Sequence, residues 1–239
     1  MKQGCRLFDE GTPEQILASE LVSASARRDA ESASEEYNGL IRTPAPEQPG
    51  RHPTGPDVPP APRPTPAQLR AAQNKTVPDV IAPGLSVLFC GINPGLYTAA
   101  IGHHFGRPGN RFWPTLHAAR FTPRLLDPSE ELELLPLGYG ITNVVARATV
   151  GADELTNKEI IAGGAILAAK VRDFAPRYLA VLGIGAYRTA FAKPKATVGL
   201  QPDAIGETRV WVLPNPSGLN AHYQGKDLVK VFRQLRDTA

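Results

Sequence analysis

The chain has 239 residues, with 26 Lys and Arg against 23 Asp and Glu for a formal net charge of +3, and two cysteines. Thiols as far apart as Cys5 and Cys90 build neither a disulfide framework nor a thiolate metal site, so no metal or cofactor is expected. The N-terminus lacks a signal-like apolar stretch and no window approaches the ~18 apolar residues of a membrane span, which predicts a soluble, intracellular protein of the cytoplasm.

Residues 14–42 are polar and rich in Ala, Ser and Glu, enough for a weak helix without an apolar stripe. Residues 44–66 hold ten of the 24 prolines with almost no large apolar side chain between them, the composition of an extended linker. Residues 1–75 therefore read as a disordered, Pro-rich N-terminal tail and residues 76–239 as one domain of common size. Residues 1–83 carry 9 Lys and Arg against 11 Asp and Glu, leaving 17 against 12 for the remainder of the chain. The globular part is the basic part, which suits a polyanionic partner.

Within that part, Ser86–Asn93 is a continuous apolar run ending at Pro94-Gly95, the pattern of a buried strand that stops at a turn. Asn110–Arg120 places Phe112, Leu116 and Ala119 at helical spacing, with Asn110 as the N-cap. The alternation continues with strands at Tyr139–Val145, Tyr178–Leu182 and Arg209–Leu213 and helices at Asn157–Phe174 and Ala186–Phe191. It closes on a helix at Lys226–Arg236 whose inner stripe is Leu228, Val231, Phe232 and Leu235. Such alternation predicts an α/β fold, a three-layer α/β/α sandwich around a short, mostly parallel sheet. Ligands of these sheets bind beyond the carboxyl ends of the strands. Two loops lie there, Gly91-Ile92-Asn93-Pro94-Gly95 and Pro214-Asn215-Pro216-Ser217-Gly218-Leu219-Asn220. Each on its own reads as an ordinary turn.

Together with Asn110-Arg111-Phe112-Trp113, and in this order and spacing, the two loops resemble the motif set of the mismatch-specific uracil/thymine-DNA glycosylases, a branch of the uracil-DNA glycosylase superfamily. The resemblance runs from about Val80 to Arg236 and leaves out the tail. It implies a catalytic domain, acting as a monomer on double-stranded DNA containing G·U or related mismatches. The implied reaction is base flipping followed by hydrolysis of the N-glycosidic bond, leaving an abasic site.

The resemblance assigns the catalytic position to Asn93. An amide orients a water through its carbonyl oxygen but has no useful basicity. Backbone N–H groups of the turn from Ile92 to Leu96 are expected to stabilise the departing base. Phe105, in Gly102-His103-His104-Phe105-Gly106, matches the aromatic that stacks on the flipped base, and Asn215 matches an asparagine near the base and its backbone. Tyr97 and Thr98 stand where relatives carry smaller side chains, so they bear on pocket size. Gly218, Leu219 and Asn220 match the wedge that fills the gap in the duplex. Some relatives follow this Leu with an arginine, where this chain has Asn220, Ala221 and His222.

Other residues remain open at this level. His103 and His104 are candidates for phosphate or leaving-group contacts. Asp79, Asp153 and Glu154 are candidate general bases beside Asn93. Arg107, Arg111, Arg147, Lys158, Lys226 and Lys230 are candidates for phosphate contacts, which set affinity rather than base choice. A four-cysteine iron–sulfur glycosylase is excluded by the cysteine count. Classical uracil-DNA glycosylases place an aspartate and a histidine in the two loops and fit less well. The alternative class is a non-catalytic nucleotide- or DNA-binding α/β module, although Gly91–Gly95 lacks both the dinucleotide and the P-loop glycine patterns.

Overall fold

A computed structural model describes residues 63–218, 223 and 225–239. Five strands form one sheet: β1 (Val87–Gly91), β2 (Tyr139–Asn143), β3 (Tyr178–Leu182), β4 (Gly199–Ile205) and β5 (Thr208–Leu213). Their spatial order is β2-β1-β3-β5-β4. All pairings are parallel except that of β4 with β5. Every side chain of β1 and β3 is buried, because a parallel strand with helices on both faces has no side for water.

Alternate residues along the strands feed two cores. Val87, Phe89, Ile141, Tyr178 and Leu213 face Phe112, Leu116, Phe232 and Leu235, which come from α3 (Phe112–Ala118) and α6 (Gly225–Thr238). Leu88, Cys90, Leu179, Val181 and Val212 face Leu167, Val171 and Phe174 of α4 (Asn157–Phe174) and Tyr187 of α5 (Ile184–Ala190). This is the expected three-layer sandwich. Burial in the second core pushes the Cys90 thiol far above its ordinary range, so it packs as a small apolar side chain. Among the described residues no helix is long and apolar enough to cross a membrane.

Elements absent from the sequence reading include a helix at Leu96–Ile101, a 3₁₀ helix at Pro128–Leu134, strand β4 and a helix before residue 76. β4 is an edge strand whose residues are mostly exposed, with Pro202 inside a register shift between Leu200 and Ala204, so it carries no apolar alternation to betray it. The segment read as tail also contains a helix among its described residues. Helix α1 (Pro66–Ala71) starts at a capping box in which Thr65 and Gln68 satisfy each other's backbone N–H groups. Ala72 and Val77, which follow it, pack with Ala99 and Ala148. Six helical residues without a buried side chain have no periodicity to read; docking stabilises them. Residues 1–62, including most of the proline-rich stretch, lie outside the described residues.

Candidate active site

Four parallel strands end on one side of the sheet, and their loops enclose a cavity of about 440 Å³. Gly91 ends β1 and Asn143 ends β2. The β2 loop runs beside the β1 loop through hydrogen bonds from Val144 N to Gly91 O (2.9 Å) and Val145 N to Ile92 O (2.9 Å). The α4 backbone presses against this loop from outside: a Cβ on Gly163 would lie 2.3 Å from Val144 O. Only glycine permits that approach.

Asn93 lies in the cavity wall with its amide orientation fixed. Its Nδ2 donates to Thr149 Oγ1 (2.7 Å), Arg147 O (3.1 Å) and Pro94 O (3.2 Å). The Thr149 hydroxyl donates its own proton to Gly151 O (2.7 Å), so only a lone pair faces Asn93. The amide nitrogen is thereby committed to the protein, and Oδ1 is the group left as an acceptor. Arg147, read from sequence as a candidate phosphate contact, holds this loop from behind. Its Nε pairs with Glu159 Oε1 (2.6 Å), and Glu159 closes the capping box of α4 with Thr156. The Arg147 guanidinium, with help from Thr156, brings the Glu159 carboxyl down to about 2. Asn74 N and Lys75 O bond Ala148 O and N (2.9 and 2.8 Å), so the segment after α1 buttresses the same loop.

The opposite wall comes from residues 103–113. Phe105 adopts φ 54°, in the left-handed region, and its ring stacks on Phe112 with centroids 4.0 Å apart. A Cβ on Gly91 would lie 3.2 Å from Phe105 Cζ and 2.5 Å from Asn143 Oδ1, so a glycine floor leaves room for both groups. His104 is buried; its Nε2 donates to Pro78 O (2.8 Å), which assigns the proton to that nitrogen and turns Nδ1 toward Asn143 Nδ2 at 3.4 Å. Asn143, which sequence reasoning passed over, is thus a cavity amide with its carbonyl above Gly91. Its signal was only its place at the end of a buried strand.

Each residue of Asn110-Arg111-Phe112-Trp113 supports this wall. Asn110 Oδ1 accepts from Phe112 N (2.9 Å) to start α3, the capping role expected of it, although the formal cap residue is Arg111. Phe112 backs Phe105. Trp113 Nε1 donates to His104 O (3.0 Å). Arg111 donates to Ser217 O (2.5 Å), Pro216 O (3.3 Å) and Tyr223 O (2.9 Å), so it ties the β5 loop to α3. Glu131, buried, binds His104 N (2.7 Å) and His103 Nδ1 (3.0 Å), which makes His103 an anchor of the aromatic loop.

Of the sequence-predicted residues, Ile92, Asn93, Phe105 and Asn215 line the cavity; Asn215 also accepts from Ser217 N (2.9 Å). Tyr97 is not in the lining, where Thr98 of helix α2 (Leu96–Ile101) is found. Gly218 approaches Gly109, where an added Cβ would lie 2.8 Å from Gly109 O. Leu219 and Asn220 lie outside the described residues. Asp79 is turned away, bound to Lys170 Nζ and to Thr142 Oγ1 (2.8 Å) on the α4 side. Glu154 accepts from Val150 N (3.3 Å), whereas Asp153 lines the cavity. Arg107 stands at its edge, and Lys158, Lys226 and Lys230 are exposed. A larger groove of about 790 Å³ lies between α3 and α6, and of the residues assigned to catalysis or base binding it contains none. No group of side chains able to hold a metal occurs among the described residues.

The profile of the Uracil DNA glycosylase superfamily matches residues 78–236. A solution NMR structure of a protein from Methanosarcina acetivorans, which carries a provisional uracil DNA glycosylase name, is 18% identical. It covers 68% of this chain and 98% of its own, with a TM-score of 0.46. With two thirds of its length inside that profile, a parallel sheet as its core and the motif loops gathered at one cavity, the chain belongs to the uracil DNA glycosylase superfamily.

Proposed function

We propose that the protein removes uracil, and related pyrimidines mispaired with guanine, from double-stranded DNA by hydrolysing the N-glycosidic bond, as a monofunctional, mismatch-specific glycosylase. It works as a monomer on DNA inside the cell. The observation that carries this reading is Asn93: its amide nitrogen is fixed by three acceptors, so its Oδ1 is the polar group left to hold a water in a cavity of about 440 Å³, which has room for a flipped pyrimidine.

The remaining groups fit the steps of the reaction. A flipped pyrimidine stacks on Phe105, worth ~1–3 kcal/mol per base, while Phe112 keeps the ring from yielding. Asn143 offers an amide that both donates and accepts to the polar edge of the base, as Asn215 does from the β5 loop. The water at Asn93 attacks C1′ as the bond to the base breaks and negative charge collects on the leaving pyrimidine. Backbone N–H groups of the turn from Ile92 to Leu96 are the donors assigned to that charge. Leu219, after the Gly109–Gly218 contact, fills the vacated stack. Arg107, Lys158, Lys226 and Lys230 are the exposed cations for phosphate contacts; Arg147 is engaged with Glu159 instead.

The test is excision from labelled duplexes carrying U·G, T·G and U·A, followed by alkaline cleavage, with Asn93→Ala alongside. Cleavage at U·G that falls more than about tenfold in the variant supports the reading, since general positioning and proton-transfer roles are worth ~10²–10⁴ in rate. An active Asn93→Ala sinks the role of Asn93. No cleavage of any duplex favours a binding module.

A further inference from the structure

Asn93 leaves one task of the reaction undone, and the inference that follows rests on reading the cavity as a glycosylase site. An amide orients the attacking water but cannot take the proton that the water loses on bonding to C1′. Among the residues lining the cavity, the side chains with an ionisable group are His104, Arg107 and Asp153. His104 is engaged at both ring nitrogens, with Pro78 O and Asn143 Nδ2. Arg107 stays protonated. Asp153 is the one carboxylate in the lining.

Its placement ties it to Asn93. Asp153 sits on the 3₁₀ turn Ala152–Glu154, directly after the Thr149–Gly151 segment that orients the Asn93 amide. The carboxylate folds back over Gly151: a Cβ there would lie 2.3 Å from Asp153 Oδ1. The carbonyl of the same Gly151 receives the Thr149 hydroxyl. Neighbouring Glu154 is held elsewhere, by Val150 N and Gln73 Nε2. Gly151 has φ −147° and ψ 157°, extended backbone that any residue adopts, so its lack of a side chain serves the carboxylate rather than the chain path.

We propose that Asp153 is the proton acceptor of base excision. As the water oxygen bonds to C1′, the C1′–N bond breaks and its electron pair leaves with the base. The proton of the water passes to the Asp153 carboxylate. The base departs as an anion and is protonated by solvent, and Asp153 returns its proton to solvent, so no co-reactant is needed.

Single-turnover excision from a U·G duplex tests this, with binding to an abasic duplex measured in parallel. Asp153→Asn is expected to slow excision by at least about tenfold, toward the ~10²–10⁴ of general-base catalysis. Gly151→Ala, which displaces the carboxylate without altering its charge, is expected to slow it as well. Both variants should bind the abasic duplex within about threefold of wild type. Because both groups act on one water, Asn93→Ala/Asp153→Asn should be within about threefold of the slower single variant rather than at the product of the two losses. An Asp153→Asn as fast as wild type or faster overturns the proposal, as does a rate loss matched by weaker abasic binding or a multiplicative double variant. A wild type that excises nothing overturns the glycosylase reading and this assignment with it, an outcome distinct from an active wild type indifferent to residue 153.

Discussion

Asn93 Nδ2 lies 2.7 Å from Thr149 Oγ1, and because that hydroxyl donates to Gly151 O, the contact can run in one direction only. Thr149 therefore fixes the Asn93 amide together with Arg147 O and Pro94 O, and makes the shortest of the three contacts. Thr149→Ala removes the shortest of the three contacts on the amide nitrogen and leaves only the longer ones to Arg147 O and Pro94 O, so the amide is held less firmly and excision is expected to fall about tenfold or more. Thr149→Ser keeps the hydroxyl and should recover most of the rate. Equal rates for the Ala and Ser variants in a single-turnover assay would refute the orienting role.

Gly91 forms the floor under Phe105 and Asn143. Gly91→Ala places a methyl group 2.5 Å from Asn143 Oδ1 and 3.2 Å from Phe105 Cζ, so one of them must shift. The Asn143 amide is held by His104 and the Phe105 ring by Phe112, which makes the shift costly. Overpacking of this kind costs ~1–3 kcal/mol. The expected result is a stability loss of that order, read by denaturant unfolding, together with excision reduced more for thymine than for the smaller uracil.

Glu159 gives a pH signature. Its carboxyl is held to about 2 by the Arg147 guanidinium first and by Thr156 next. The folded value lies below the unfolded one, so the contribution is fully present at neutral pH and fades as pH falls from the ordinary carboxylate range through about 2. Melting temperatures of wild type and Glu159→Gln should differ at pH 7 and converge as the pH is lowered toward that value. A gap that stays constant over this range would remove Glu159 as the titrating group.

Arg111 joins the β5 loop to α3 through Ser217 O and Tyr223 O. Hydrogen bonds from a charged donor contribute ~1.5–3 kcal/mol each. Arg111→Lys keeps the charge but not the planar fork. It is expected to lower the melting temperature and weaken binding to abasic duplex, while the salt dependence of binding stays as in wild type. A reduced salt slope instead would mean that Arg111 contacts phosphate.

The sequence by itself determined the α/β class, the parallel strands and the two loops that meet at the cavity. Runs such as Val87–Gly91 and Tyr178–Leu182 are apolar throughout, and a fully buried parallel strand leaves that mark. β4 and α1 escaped because an exposed edge strand and a docked single-turn helix carry no periodic signal. Tertiary structure alone decided among the charged and amide residues. Asp79 and Asp153 are equivalent as letters, yet one meets Lys170 and the other an open cavity, while Arg147, alike in sequence to the other candidate cations, meets Glu159. Asn143 and Thr149 joined Asn93 in the same way. A polar side chain acquires its role from the atoms that fold against it, and the chain can separate those atoms widely: Asn93 and Thr149 stand 56 positions apart and come within 2.7 Å only when β1 and β2 pair.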